Sequence, residues 1–118
     1  MGQTFPRENR LLSPAHYRAV FDHPVRTTDN CFTVLCRASG RATPRLGLAV
    51  AKKNSRLAVD RNRIKRIIRE SFRNNKVTLG GLDYVVLSRT GANSATNREL
   101  FASLERHWGK LRKKYSEK

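Results

Sequence analysis

Residues 58–73, AVDRNRIKRIIRESFR, repeat their apolar side chains with the period of an α-helix. At about 100° per residue, Ile64, Ile67, Ile68, Ser71 and Phe72 fall on one side. Asn62, Lys65, Arg66, Arg69 and Arg73 fall on the other, flanked by Arg61 and Arg63. A helix of this kind needs a core on its isoleucine side and leaves the opposite stripe outside. That stripe carries one sign of charge. From Lys52 to Arg73, nine basic residues (Lys52, Lys53, Arg56, Arg61, Arg63, Lys65, Arg66, Arg69 and Arg73) stand against two acids, Asp60 and Glu70. A merely solvated face usually mixes signs, so the stripe is suited to a polyanion. Arginine outnumbers lysine in it, which favours bidentate phosphate contact and stacking on exposed bases. The amide of Asn62 both donates and accepts, so it can read a base edge or fix a neighbouring arginine.

The remaining composition agrees with a nucleic-acid partner. The 118 residues suit a single domain spanning 1–118, with a net charge of +16. Self-repulsion of that size opposes compaction until a partner neutralises it. The 38% hydrophobic content and nine aromatic residues point to a folded domain and not a basic tail. No apolar run approaches the roughly 20 residues that span a bilayer, and MGQTFPRENR lacks the apolar stretch of a signal peptide. Pro6 stands where an N-myristoylation motif has Ser or Thr. Cys31 and Cys36 are expected on one strand, where their odd offset points them to opposite faces and argues against a disulfide. No Cys/His cluster marks a zinc site. The expectation is a reduced, cytoplasmic protein without a structural metal, a membrane contact or a small-molecule substrate.

Along the chain, residues 1–12 read as an irregular basic arm with Phe5, Leu11 and Leu12 tucked against the body. Ser13–Pro14 opens a helix to about Phe21, ended by His23–Pro24. Residues 25–28 suit a short edge strand, 32–37 a second strand, and 46–51 a third, expected to be the hairpin partner of the second. Residues 74–81 read as a linker and 82–88 as a mostly buried strand. Thr96 and Glu99 form a capping box ahead of a last helix. Its apolar positions are Leu100, Phe101, Leu104, Trp108, Leu111 and Tyr115, with fraying expected over 113–118. Helix, strands, helix, strand, helix is the pattern of an α+β sandwich with helices packed on one small sheet.

Little here suggests catalysis by the protein itself. The acids Glu8, Asp22, Asp29, Asp60, Glu70, Asp83, Glu99, Glu105 and Glu117 are dispersed without ligand spacing, whereas metal-assisted phosphodiester cleavage needs convergent carboxylates. Asp60 reads as a helix N-terminal charge. His16, His23 and His107 read as surface histidines, and no glycine-rich phosphate loop is present. Tyr17 and Phe21, one turn apart, share a helix face. They are either core or a stacking platform for single-stranded nucleotides. Phe32 and Trp108 are assigned to the core.

RNRIKRIIRESFR, preceded by GLAVAKKN, closely resembles the signature of the bacterial ribonuclease P protein subunit. The likeness extends through RENRLL at 7–12, the helix carrying Tyr17 and Phe21, and DYVVLSR at 83–89. It implies an α-β-β-β-α-β-α sandwich with a left-handed βαβ crossover. It implies that catalysis lies in a large RNA subunit, with Mg²⁺ held by that RNA and the substrate and none bound by the protein alone. The protein would bind ribonuclease P RNA and precursor tRNA, whose 5′ leader is removed. Carried over residue by residue, Lys52, Lys53, Arg56, Arg61, Asn62, Arg63, Lys65, Arg66, Arg69 and Arg73 become RNA contacts. Tyr17 and Phe21 become leader-stacking residues in a cleft between the first helix and the sheet. An aromatic common in the cleft-facing strand of the family is Leu35 here. A structural RNA-binding protein, such as a ribosomal protein, would share the composition but has no reason to keep the Arg61-Asn62-Arg63 order. The scattered carboxylates disfavour a protein-only nuclease.

Overall fold

The structure, a computed structural model, describes residues 9–11 and 13–116. Phe5, Pro6 and Leu12 lie outside the described residues. Leu11 is buried, as expected of the arm.

Ser13 caps α1 (Pro14–Phe21): its hydroxyl accepts from the His16 N–H at 3.3 Å, and Pro14 brings no N–H to satisfy. The chain leaves α1 through His23, whose φ of 56° is left-handed, and enters β1 (Val25–Thr28). Asp29 Oδ1 then accepts from the backbone N–H groups of Cys31 and Phe32, both at 2.9 Å, closing an Asx-type turn into β2 (Phe32–Ala38). β3 (Arg45–Ala49), α2 (Ala58–Asn74), β4 (Leu82–Ser88) and α3 (Asn97–Ser116) follow. The α-β-β-β-α-β-α order is the expected one.

The four strands form one mixed sheet in the order β1-β2-β4-β3. β2 is antiparallel to β1 and β4, whereas β3 is parallel to β4. The expected β2–β3 hairpin is therefore wrong: β4 lies between them. β4 is apolar on both faces, with Leu82, Tyr84, Val85 and Val86 all buried, and such a strand belongs at the centre of a sheet. α2 is the crossover joining the parallel pair.

Period-two alternation gives the sheet two different faces. Phe32, Val34 and Cys36 of β2, with Leu82, Tyr84 and Val86 of β4, enter the main core. There α2 supplies Ile64, Ile67, Ile68 and Phe72, and α3 supplies Leu100, Leu104, Trp108 and Leu111. Leu35 and Val85 point the other way, to a smaller cluster with Leu11 and Val20. Ser71, the polar residue on the apolar side of α2, accepts from the buried Trp108 indole N–H at 2.9 Å. An indole placed in the core needs such an acceptor.

Several details depart from the sequence reading. Residues 76–79 of the linker form a 3₁₀ turn that buries Leu79. α3 continues to Ser116, and one helical turn beyond Leu111 the Tyr115 hydroxyl accepts from Ala38 N–H at 3.2 Å and donates to Cys36 O at 3.4 Å. Residues 117–118 lie outside the described residues. Cys31 precedes β2 instead of lying on it, so the odd offset fails and both thiols face the main core. Both cysteines are free, and burial pushes the Cys36 thiol up to about 12. His107 is buried and not at the surface. Its Nδ1 lies 3.3 Å from Thr27 Oγ1 and its Nε2 3.3 Å from Asp29 Oδ2, while burial lowers its pKa. Among the described residues, no helix is long and apolar enough to cross a membrane.

Candidate nucleic-acid interface

α2 begins at Leu57 without a side-chain cap, its first turn carrying Asp60. Asp60 places a carboxylate near the positive end of the helix dipole. The isoleucine face is fully buried, which fixes the rotation of the helix and turns the basic stripe outward. Lys52, Lys53, Arg56, Asn62, Arg66 and Arg69 are exposed, and Lys65 and Arg73 half-buried. None of these eight side chains makes a hydrogen bond or ion pair with another described residue. They stand open to a partner.

Arg61 and Arg63 are placed differently. Arg61 donates to the carbonyls of Ser55 and Arg56, both at 2.9 Å, closing the loop ahead of α2. Arg63 donates to Asn97 Oδ1 at 2.7 Å and to the carbonyls of Ala92 and Asn93 at 3.4 Å, tying α2 to the approach of α3. Neighbouring polar bonds hold the same corner: Ser55 Oγ donates to Asn93 Oδ1 at 2.5 Å, and Asn54 Nδ2 to Ser88 O at 3.0 Å. Two guanidiniums of the motif thus spend donors on buttressing the fold.

On the opposite face of the sheet, α1 covers β2 and β4 incompletely, leaving a groove at each end. Tyr17 rests on β3. A Cβ built at Gly47 would lie 2.5 Å from Tyr17 Cε1 and 2.7 Å from Cζ and Oη, so only glycine admits the ring there. Arg10 bridges to Leu46, and Leu11 N–H donates to Leu46 O at 3.0 Å, so residues 9–11 border the free edge of β3. The resulting groove, of about 420 Å³, brings Arg10 and Tyr17 together with Lys65 and Arg69 of α2. Tyr17 is half-buried, so it serves packing and keeps an accessible ring.

Phe21 lies at the other end and is 50% exposed. With Pro24, Arg26, Thr33, Leu35 and Leu87 it lines a second groove of about 560 Å³. Arg37 locks the C-terminal end of α1 to β2. It donates to Ala19 O at 3.2 Å and to Asp22 O, and its guanidinium pairs with the Asp22 carboxylate at 3.2 Å. Arg45 and Asp83 form a buried bidentate pair at 2.9 and 2.7 Å between β3 and β4. Arg10, Arg26 and Gly47 were missed in the sequence. Only strand register aims Arg26 into the groove with Leu35, although the period of β1 alone could have placed it on the face opposite Thr27.

The acids are largely committed. Asp22 pairs with His23 and Arg37, Asp83 with Arg45, and Glu105 accepts from Asn75 at 2.7 Å. Glu99 and Thr96 complete the expected capping box at 2.8 and 3.1 Å. Burial pushes the Asp29 carboxyl up, but hydrogen bonds from Ser103, Phe32 and Cys31 and the charge of His107 outweigh it and bring it down to about 2.

Comparison with known proteins places this arrangement. The Ribonuclease P family profile matches residues 5–112. The ribonuclease P protein component of Methylococcus capsulatus is 51% identical over 107 residues, covering 91% of this chain and 84% of that protein. That of Pseudomonas putida is 46% identical over 115 residues, covering 97% and 84%. Among solved structures, the RNase P protein of Staphylococcus aureus superposes with a TM-score of 0.79 at 29% identity, covering 86% of this chain and 93% of that one. The Thermotoga maritima protein gives 0.71 at 30% identity, covering 88% and 96%. The chain belongs to the family of bacterial ribonuclease P protein components.

Proposed function

We propose that this chain is the protein subunit of a ribonucleoprotein endoribonuclease that removes the 5′ leader from precursor tRNA, and that it binds both the catalytic RNA and the leader. The observation that carries the reading is the meeting of two surfaces. The cations of α2 that have no partner among the described residues run into the groove where Lys65 and Arg69 flank Tyr17. A single strand passing over α1 can stack a base on Tyr17 and another on Phe21 while its phosphates meet Arg10, Lys65 and Arg69. Base stacking contributes about 1–3 kcal/mol per base, and each neutralised phosphate releases counterions. Lys52, Lys53, Arg56, Arg66 and Arg73 extend the basic surface to the catalytic RNA, and Asn62 offers both a donor and an acceptor to it. Arg61 and Arg63 hold the frame and offer their remaining N–H groups outward.

On this reading the RNA subunit carries the chemistry, with Mg²⁺ held by that RNA and the substrate; the protein positions the leader and supplies positive charge. The purified chain alone is then expected to leave precursor tRNA intact. Added to a bacterial ribonuclease P RNA, it should stimulate cleavage most at low Mg²⁺, because its cations stand in for counterions. Cleavage indifferent to the protein across a Mg²⁺ titration would overturn the proposal.

A further inference from the structure

Three arginines project from the sheet face that α1 partly covers, and two of them are spent inside the fold. Arg45 is bidentate on Asp83, and Arg37 is held by Asp22 and the Ala19 carbonyl. Arg26 is exposed, and its side chain makes no hydrogen bond or ion pair with any described residue. Its backbone is nonetheless anchored. It pairs opposite Leu35, and its carbonyl accepts from Lys114 Nζ at 3.0 Å. A guanidinium with no partner among the described residues is thus carried on a firmly placed strand.

The groove beside it has Leu35 and Leu87 on its floor and the half-exposed ring of Phe21 on its wall. An apolar floor between a phenyl ring and an unneutralised cation suits a nucleotide better than a purely apolar guest. The base finds the ring and the leucines, and the phosphate finds the guanidinium.

We infer that Arg26 is a leader-binding residue, holding with Phe21 one nucleotide of the leader at the β1 edge of the sheet. The inference rests on the leader-binding reading above and extends it to a second subsite. The α2 groove borders β3, whereas the second groove runs across β4 and β2 to Arg26 on β1, three interstrand spacings from β3 in the observed order. That separation is about 14 Å. Arg26 therefore acts only on leaders long enough to cross the sheet.

The test uses the full chain reconstituted with a bacterial ribonuclease P RNA, measuring affinity for precursor tRNAs that differ only in leader length. Arg26→Ala should weaken binding of a long-leader substrate roughly five- to tenfold and leave a one-nucleotide leader unaffected. Arg26→Lys keeps the charge and should recover most of the loss. Lys110→Ala removes an exposed charge from α3, on the opposite face of the sheet, and should not reproduce the effect. Equal losses at every leader length, or an equal loss from Lys110→Ala, would reduce Arg26 to general electrostatics and overturn the inference. An unchanged Arg26→Ala against a leader-sensitive wild type overturns this inference alone. A wild type indifferent to leader length overturns the leader-binding reading as well.

Discussion

At the scale of single residues, the informative ones are those whose chemistry seemed out of place. Ser71 on an isoleucine face is there because the Trp108 indole needs an acceptor. His107, read as a surface residue, is buried, with Thr27 Oγ1 and Asp29 Oδ2 each 3.3 Å from one of its ring nitrogens. Gly47, inside β3, is the surface on which Tyr17 rests. Gly47→Ala places a methyl group within 2.5–2.7 Å of that ring and must displace it. The expected result is a loss of about 1 kcal/mol in binding to precursor tRNA, with binding of mature tRNA unchanged. The penalty should vanish in a Tyr17→Ala background, which a general destabilisation would not do. Equilibrium binding of both RNAs to the four reconstituted complexes checks this.

At the scale of elements, α2 does two jobs with one run of arginines. The 3.6-residue period separates an apolar face from a basic one, and the structure bears out every buried position read from it. The same period could not show that Arg61 and Arg63 turn back to carbonyls while Arg66 and Arg69 stay open. Arg66→Ala and Arg69→Ala are therefore expected to leave the helical CD signal and urea midpoint unchanged. Each should weaken RNA binding and lower its salt slope by about one. Arg61→Ala and Arg63→Ala orphan carbonyl acceptors and should each lower folding stability by about 1 kcal/mol as well. Urea unfolding alongside salt-dependent binding separates the two pairs.

At the scale of the whole molecule, the β1–β2 turn is fastened to α3 through Asp29. It accepts from Ser103 Oγ at 2.5 Å and lies near Arg106 at 3.6 Å and His107 at 3.3 Å. Its folded pKa lies below the ordinary value, so its contribution is complete above about pH 4 and is lost as pH falls towards about 2. The melting temperature of Asp29→Asn should thus lie below that of the wild type near neutrality, and the gap should close across that acid window. A gap independent of pH would refute the assignment. The sequence by itself determined the element order, the caps at Ser13 and Thr96, and the two faces of α2. These follow from side chains within one or two turns of each other, where period and local hydrogen bonding decide the outcome. The tertiary structure alone decided that β4 separates β2 from β3. It alone brought Tyr17 onto Gly47 beside Lys65 and Arg69, and left the Arg26 side chain without a partner among the described residues where Arg37 and Arg45 have one. Those facts depend on strand register and on helix docking across distant segments. The energy that selects them comes from burying whole faces together, which no local stretch of sequence contains.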